Sequence, residues 1–173
     1  MHIDSKGLHF LLLSLTLTVL VLTTLGWTPV QAQPANDDFA DAEELTLPFT
    51  DVTGSNLAAT SETGEPRCVG DESVWYRMTP SSAGRLRVRG NGDGFTTGIG
   101  IYEGSSVDAL TQLGCNNDRE TVSVQAGTTY YLRIAARFSG QGDFTISGEV
   151  IPFRPNDDFA DAVELTLPFT DVT

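Results

Sequence analysis

The chain holds 173 residues with 23 acidic side chains against ten Lys and Arg, a formal charge of −13. Repulsion at that charge opposes encounter with nucleic acid and with anionic membrane surfaces, so neither is expected as a partner. A cationic partner, bound cations and plain solubility all remain compatible with it.

The first 32 residues read as a segment removed before folding. Lys6, His2 and His9 flank the start of an apolar stretch over 10–25, and Val30-Gln31-Ala32 supplies a small-residue exit. That order is expected of a secretory signal peptide over 1–32, cut after Ala32. The apolar run is diluted by Ser14, Thr16, Thr18, Thr23 and Thr24, and it falls short of the roughly 20 residues that span a bilayer. No membrane attachment is therefore expected after cleavage. Both histidines and the only lysine leave with this segment, and nine arginines remain against 22 acidic residues.

Beyond it, residues 38–45 look helical, a short turn with Phe39 and Ala42 on one side. From there the pattern has period two, broken by turn residues. Strands are expected at 73–79 (SVWYRMT), 85–89 (RLRVR), 98–102 (GIGIY), 121–124 (TVSV), 129–136 (TYYLRIAA) and 143–150 (DFTISGEV). Gly90-Asn91-Gly92-Asp93-Gly94, Gly127 and Gly140-Gln141-Gly142 separate them. Alternation puts Leu86, Val88, Leu132 and Ile134 inward, with Arg85, Arg87, Arg89, Arg133 and Arg137 outward. Val74, Tyr76 and Met78 share one face of their strand, leaving Trp75 on the other. Many short antiparallel strands with one minor helix predict an all-β sandwich of jelly-roll type. Cys68 and Cys115 are the two cysteines of a chain addressed to an oxidising compartment, so one intramodule disulfide is expected.

Residues 36–53 (NDDFADAEELTLPFTDVT) recur at 156–173 (NDDFADAVELTLPFTDVT), with Val163 in place of Glu43 as the only change. The expectation is a module over 36–151, a proline-stiffened linker at 152–155, and the start of a second module at 156–173. The interval is too long for a solenoid unit of about 20–50 residues and suits a string of domains. Neighbouring repeats of the same chain are then partners.

The order NDDFADA, LPFT, ATSETGEP, SVWYRMTP, GIGIYEGSS, CNND, AGTTYYLRI, GDFTISGEV resembles the bacterial pre-peptidase C-terminal domain over about 36–150. The resemblance implies a jelly-roll β-sandwich in secreted or surface proteins of bacteria, an accessory module beside peptidases or in tandem arrays. It also implies calcium near the N-terminal linker in some members. Two departures weigh against that metal: Phe95-Thr96-Thr97 lacks the family's aspartate, and Cys115-Asn116-Asn117-Asp118 is one carboxylate short.

Catalysis is not expected of this segment, because a Ser–His or Cys–His nucleophile needs an imidazole and none remains after cleavage. A catalytic domain beyond residue 173 is compatible with this. Calcium is the candidate cofactor, with Asn36, Asp37 and Asp38 at the module start and Glu62, Glu65 and Asp71 before the Trp75 strand offering oxygen ligands. The competing reading has Asp37 or Asp38 capping the short helix and the other acids solvated. Arg85, Arg87 and Arg89 offer forks to an anionic polysaccharide or to a partner's carboxylates, or they pair with cross-strand acids. Trp75, with Tyr102, Tyr130 and Tyr131, offers a stacking platform, or these rings cover sheet and core. The function expected is a non-catalytic secreted module for binding or attachment to a polysaccharide, a protein or a cell surface. The alternative is a spacer or stability domain ahead of a secreted hydrolase, a peptidase by the resemblance.

Overall fold

A computed structural model describes residues 31–68, 70–138, 140–154 and 162–164. Residues 1–30 of the expected signal peptide, Pro155 and nearly all of the second repeat copy lie outside the described residues.

The described residues form nine strands: β1 (Glu43–Glu44), β2 (Phe49–Ser55), β3 (Ser73–Met78), β4 (Gly84–Gly92), β5 (Thr97–Glu103), β6 (Thr111–Asn117), β7 (Arg119–Val124), β8 (Tyr130–Ala136) and β9 (Asp143–Pro152). They form a five-stranded sheet, order β1-β3-β8-β5-β6, and a four-stranded sheet, order β2-β9-β4-β7. The chain crosses repeatedly between the sheets, and every pairing is antiparallel except the two-residue β1–β3 contact. This is a β-sandwich of jelly-roll type. Its core interleaves Val74, Tyr76, Ile99, Ile101, Leu132 and Ile134 from one sheet with Leu86, Val88, Phe144 and Ile146 from the other, all nearly or fully buried. Each such aliphatic side chain contributes about 1.5–3 kcal/mol on burial.

Three elements depart from the sequence expectation. Of the residues 38–45 expected to be helical, only Phe39–Asp41 forms a 3-10 turn, because Ala42 at ψ 122° already leaves helical geometry and feeds β1. Strand β2 carries a register shift between Phe49 and Val52, with Asp51 in the left-handed region at φ 49°. Such a bulge interrupts the alternation that marks a strand. Strand β6 has no fully buried position, so no apolar period announces it. Elsewhere β3 and β8 are each one residue shorter than expected, and β4, β5, β7 and β9 are a few residues longer, β9 as far as Pro152, which sits opposite Gly84 at the sheet's end. Gly148 of β9 lies under the Phe49 ring, which a Cβ there would strike.

Candidate functional site

No described residue covers the outward face of the four-stranded sheet, and a groove of about 640 Å³ runs over it. Strand β4 is central, so Arg85, Arg87 and Arg89 project outward as alternation requires, while Leu86 and Val88 are buried. In register, Arg87 faces Glu149 of β9 and Arg89 faces Ser147 of β9 and Arg119 of β7. Arg87 Nη1 lies 3.5 Å from Glu149 Oε1. Arg87, Arg89, Arg119, Asn91, Thr145 and Ser147 line the floor, whereas Arg85 is not part of the lining. The β2 bulge forms one wall. There the Asp51 N–H donates to Ser147 Oγ at 3.0 Å, and Asp51 Oδ1 lies 3.4 Å from the same hydroxyl. A second hollow, of about 560 Å³, shares Asn91 and Thr145 with the groove and continues toward Asp93 and Asp143. Arg119 and Asp51 were not singled out by the sequence, since only strand register and the bulge bring them to this face.

Five of the six residues expected to ligate calcium have side chains engaged in hydrogen bonds or an ion pair, and Asp38 is the exception. Asn36 behaves as a strand partner of Trp75: its carbonyl accepts the Trp75 N–H at 2.8 Å and its Nδ2 donates to the Trp75 carbonyl at 2.9 Å. Buried Asp37 accepts from the Thr60 N–H and Thr60 Oγ1, both at 2.7 Å. Asp38 occupies the cap position of the 3-10 turn without a side-chain hydrogen bond. Glu62 fills that role from 23 residues away, accepting the Phe39 N–H at 3.0 Å. Glu65 accepts from Arg133 Nε at 2.5 Å, from Ser73 Oγ and from the Glu62 N–H. Asp71 is exposed, 4.0 Å from Arg67. Among the described residues no three His, Cys, Asp or Glu side chains gather as a metal site. Calcium takes six to eight oxygens, so this donor set does not fit it.

Trp75 stands on the outward face of the five-stranded sheet, as alternation requires, yet it is fully buried and its ring is closed to any ligand. Phe39, Ala42 and Tyr102 bury it in a second apolar cluster, with Cys68, Val107, Leu110 and Tyr131 packed around them. The Phe39 ring meets Trp75 edge-on at 5.3 Å. Tyr102 and Tyr130 are buried as well, and only Tyr131 is half-buried, so the four rings form no platform. The Cys68–Cys115 disulfide, with Cα atoms 5.7 Å apart, ties the covering loop to β6. Arg133 faces outward but is 2% exposed, held by Glu65, by the Gly70 carbonyl at 2.9 Å and by the Asp71 carbonyl at 3.4 Å. The expectation of a solvated Arg133 fails because this loop closes over it. Burial pushes the phenols of Tyr76 and Tyr102 up to about 12; Asn36 opposes the shift at Tyr76 and Arg133 opposes it at Tyr102.

Residues 35–146 match a family described as galactose binding domain-like and associated with the T9SS. No curated protein matches the chain. Among solved structures, it is similar to the pre-peptidase C-terminal domain of a Bacillus anthracis collagenase at 17% identity, covering 62% of this chain and 94% of that one, TM-score 0.43. It is also similar to the Yersinia pseudotuberculosis-derived mitogen at 10% identity, covering 66% and 94%, TM-score 0.42. A periplasmic inhibitor of g-type lysozyme from Aeromonas hydrophila gives 11% identity, 62% and 97% coverage, and TM-score 0.40.

Proposed function

The chain belongs to the galactose binding domain-like family, and on that premise we propose that it is a non-catalytic, extracellular carbohydrate-binding module whose ligand lies in the groove over β2, β9, β4 and β7. The observation that carries this reading is the grooved sheet face itself, which nothing among the described residues covers. Its floor presents Asn91, Thr145 and Ser147 beside guanidinium groups, the mixture of donors and acceptors that sugar hydroxyls demand. The disulfide supports an oxidising, extracellular setting. Members of galactose-binding-like families are typically non-catalytic modules, which supports the absence of a reaction in this segment.

Titrating the full chain with galactose-containing oligosaccharides by calorimetry tests the reading. Saturable binding is expected, and it is expected to vanish when Thr145→Trp and Asn91→Ala fill and strip the floor while the melting temperature holds. Wild-type affinity in that variant removes the ligand from this groove.

The 18-residue repeat favours a second reading, in which modules of this kind space or stabilise a neighbouring secreted hydrolase in a tandem array. A spacer binds no glycan at any concentration, which separates the two. Calcium has no comparable support, and its addition is expected to leave the melting temperature unchanged.

A further inference from the structure

We propose that the groove selects an acidic sugar, with Arg89 and Arg119 jointly holding its carboxylate or sulfate. This inference rests on the groove being the glycan site. Arg89 of β4 and Arg119 of β7 are directly opposite in an antiparallel register, so their Cβ atoms stand about 4.5–5.5 Å apart on one face. Both side chains are exposed. Like charges in that relation destabilise a sheet. The chain has acids to spare, yet neither side chain has an ion-pair or hydrogen-bond partner among the described residues.

Four other arginines show what a neutralised one looks like here, whereas Arg85, Arg137 and Arg154 have no ion pair among the described residues either. Arg67, Arg77, Arg87 and Arg133 each lie within 4.0 Å of a carboxylate. The groove's three acids have partners other than Arg89 and Arg119: Asp118 Oδ1 accepts the Thr97 N–H and Thr97 Oγ1, both at 2.9 Å, Glu149 faces Arg87, and Asp51 Oδ1 lies 3.4 Å from Ser147 Oγ. Two adjacent guanidinium forks without a counter-ion match the planar oxygens of a carboxylate or the faces of a sulfate, and binding one relieves their mutual repulsion. Asn91 and Ser147 lie on the same floor, placed for the hydroxyls of the same or the next sugar.

The experiment compares three polymers on the full chain: a neutral galactan, a polygalacturonate and a sulfated galactan. At least one acidic polymer is expected to bind about tenfold or more tighter than the neutral one, with affinity falling as salt rises. The polygalacturonate and sulfated arms tell carboxylate from sulfate. Arg89→Gln with Arg119→Gln is expected to erase that preference, bringing the acidic polymer's affinity down to the neutral one's measured on the same variant, and not to lower the melting temperature. Equal affinities for all three polymers, or a preference that survives the double substitution, overturns the inference and leaves the glycan groove standing. No binding to any polymer overturns the groove reading and this inference with it.

Discussion

The two sheets of this sandwich have outward faces built by the same alternation and put to opposite uses. On β3, β8 and β5 the outward residues are Trp75, Tyr131, Arg133 and Tyr102; a 3-10 turn, a long loop and a disulfide close over them. On β4 and β9 they are Arg85, Arg87, Arg89, Ser147 and Glu149, and nothing among the described residues covers them. Aromatic rings facing outward lose stability if left in water, so their presence on a strand signals a cover. Charged side chains carry the reverse signal. Arg133 is the instructive exception, a cation on the covered face that is tolerated because Glu65 and two carbonyls satisfy it.

The comparison breaks first at that pair. Glu65→Ala leaves the guanidinium of Arg133 buried beside an empty site and is expected to cost about 3–5 kcal/mol in urea unfolding. Replacing both, Glu65→Leu with Arg133→Met, is expected to recover most of the loss; a double variant as unstable as the single one would mean that the cover depends on the charges themselves. Next comes the tether. Cys68→Ser with Cys115→Ser is expected to cost about 3–4 kcal/mol by loop entropy, and to make Trp75 fluorescence accessible to a soluble quencher. Protection that persists would show that the cover closes without its disulfide.

Alkaline pH tests the buried phenols. With folded values raised to about 12 from 10.0, the native state keeps protons that the unfolded chain gives up. Stability is therefore full below pH 10 and falls as pH rises from 10 toward 12. Tyr102→Phe is expected to flatten part of that slope. It should cost little at neutral pH, because the Tyr102 hydroxyl is buried without a hydrogen-bond partner among the described residues. An unaltered slope in Tyr102→Phe would place the alkaline transition in the main core at Tyr76.

Alternation alone made much of this legible. It placed Leu86, Val88, Leu132 and Ile134 inside and Trp75 on the opposite face from Val74 and Tyr76, and compartment chemistry paired Cys68 with Cys115. What it missed depends on contacts between distant residues. Glu65 and Arg133 are 68 positions apart, and the loop carrying Glu65 has no period to show that it lies on a sheet. Glu62 capping the turn at Phe39 across 23 positions defeated the local rule that Asp37 or Asp38 would do so. The groove was half visible. The arginine stripe of β4 was evident, but Arg119 joins it only through register, and the wall at Asp51 exists only because β2 bulges.

The smallest expected effect is on the bare face, at Arg87 and Glu149. Their side chains are 35% and 56% exposed and 3.5 Å apart, so water screens the pair and each long side chain gives up rotamer freedom to hold it. Such pairs contribute about 0–1 kcal/mol. A double-mutant cycle on Arg87→Ala and Glu149→Ala is expected to return a coupling energy in that range, well below what the covered face shows at Glu65 and Arg133. A face whose charges contribute so little to folding is free to be specified by what it binds. A coupling as large as that of the buried pair would contradict this, because it would mean that the exposed face is organised for stability in the same way as the covered one.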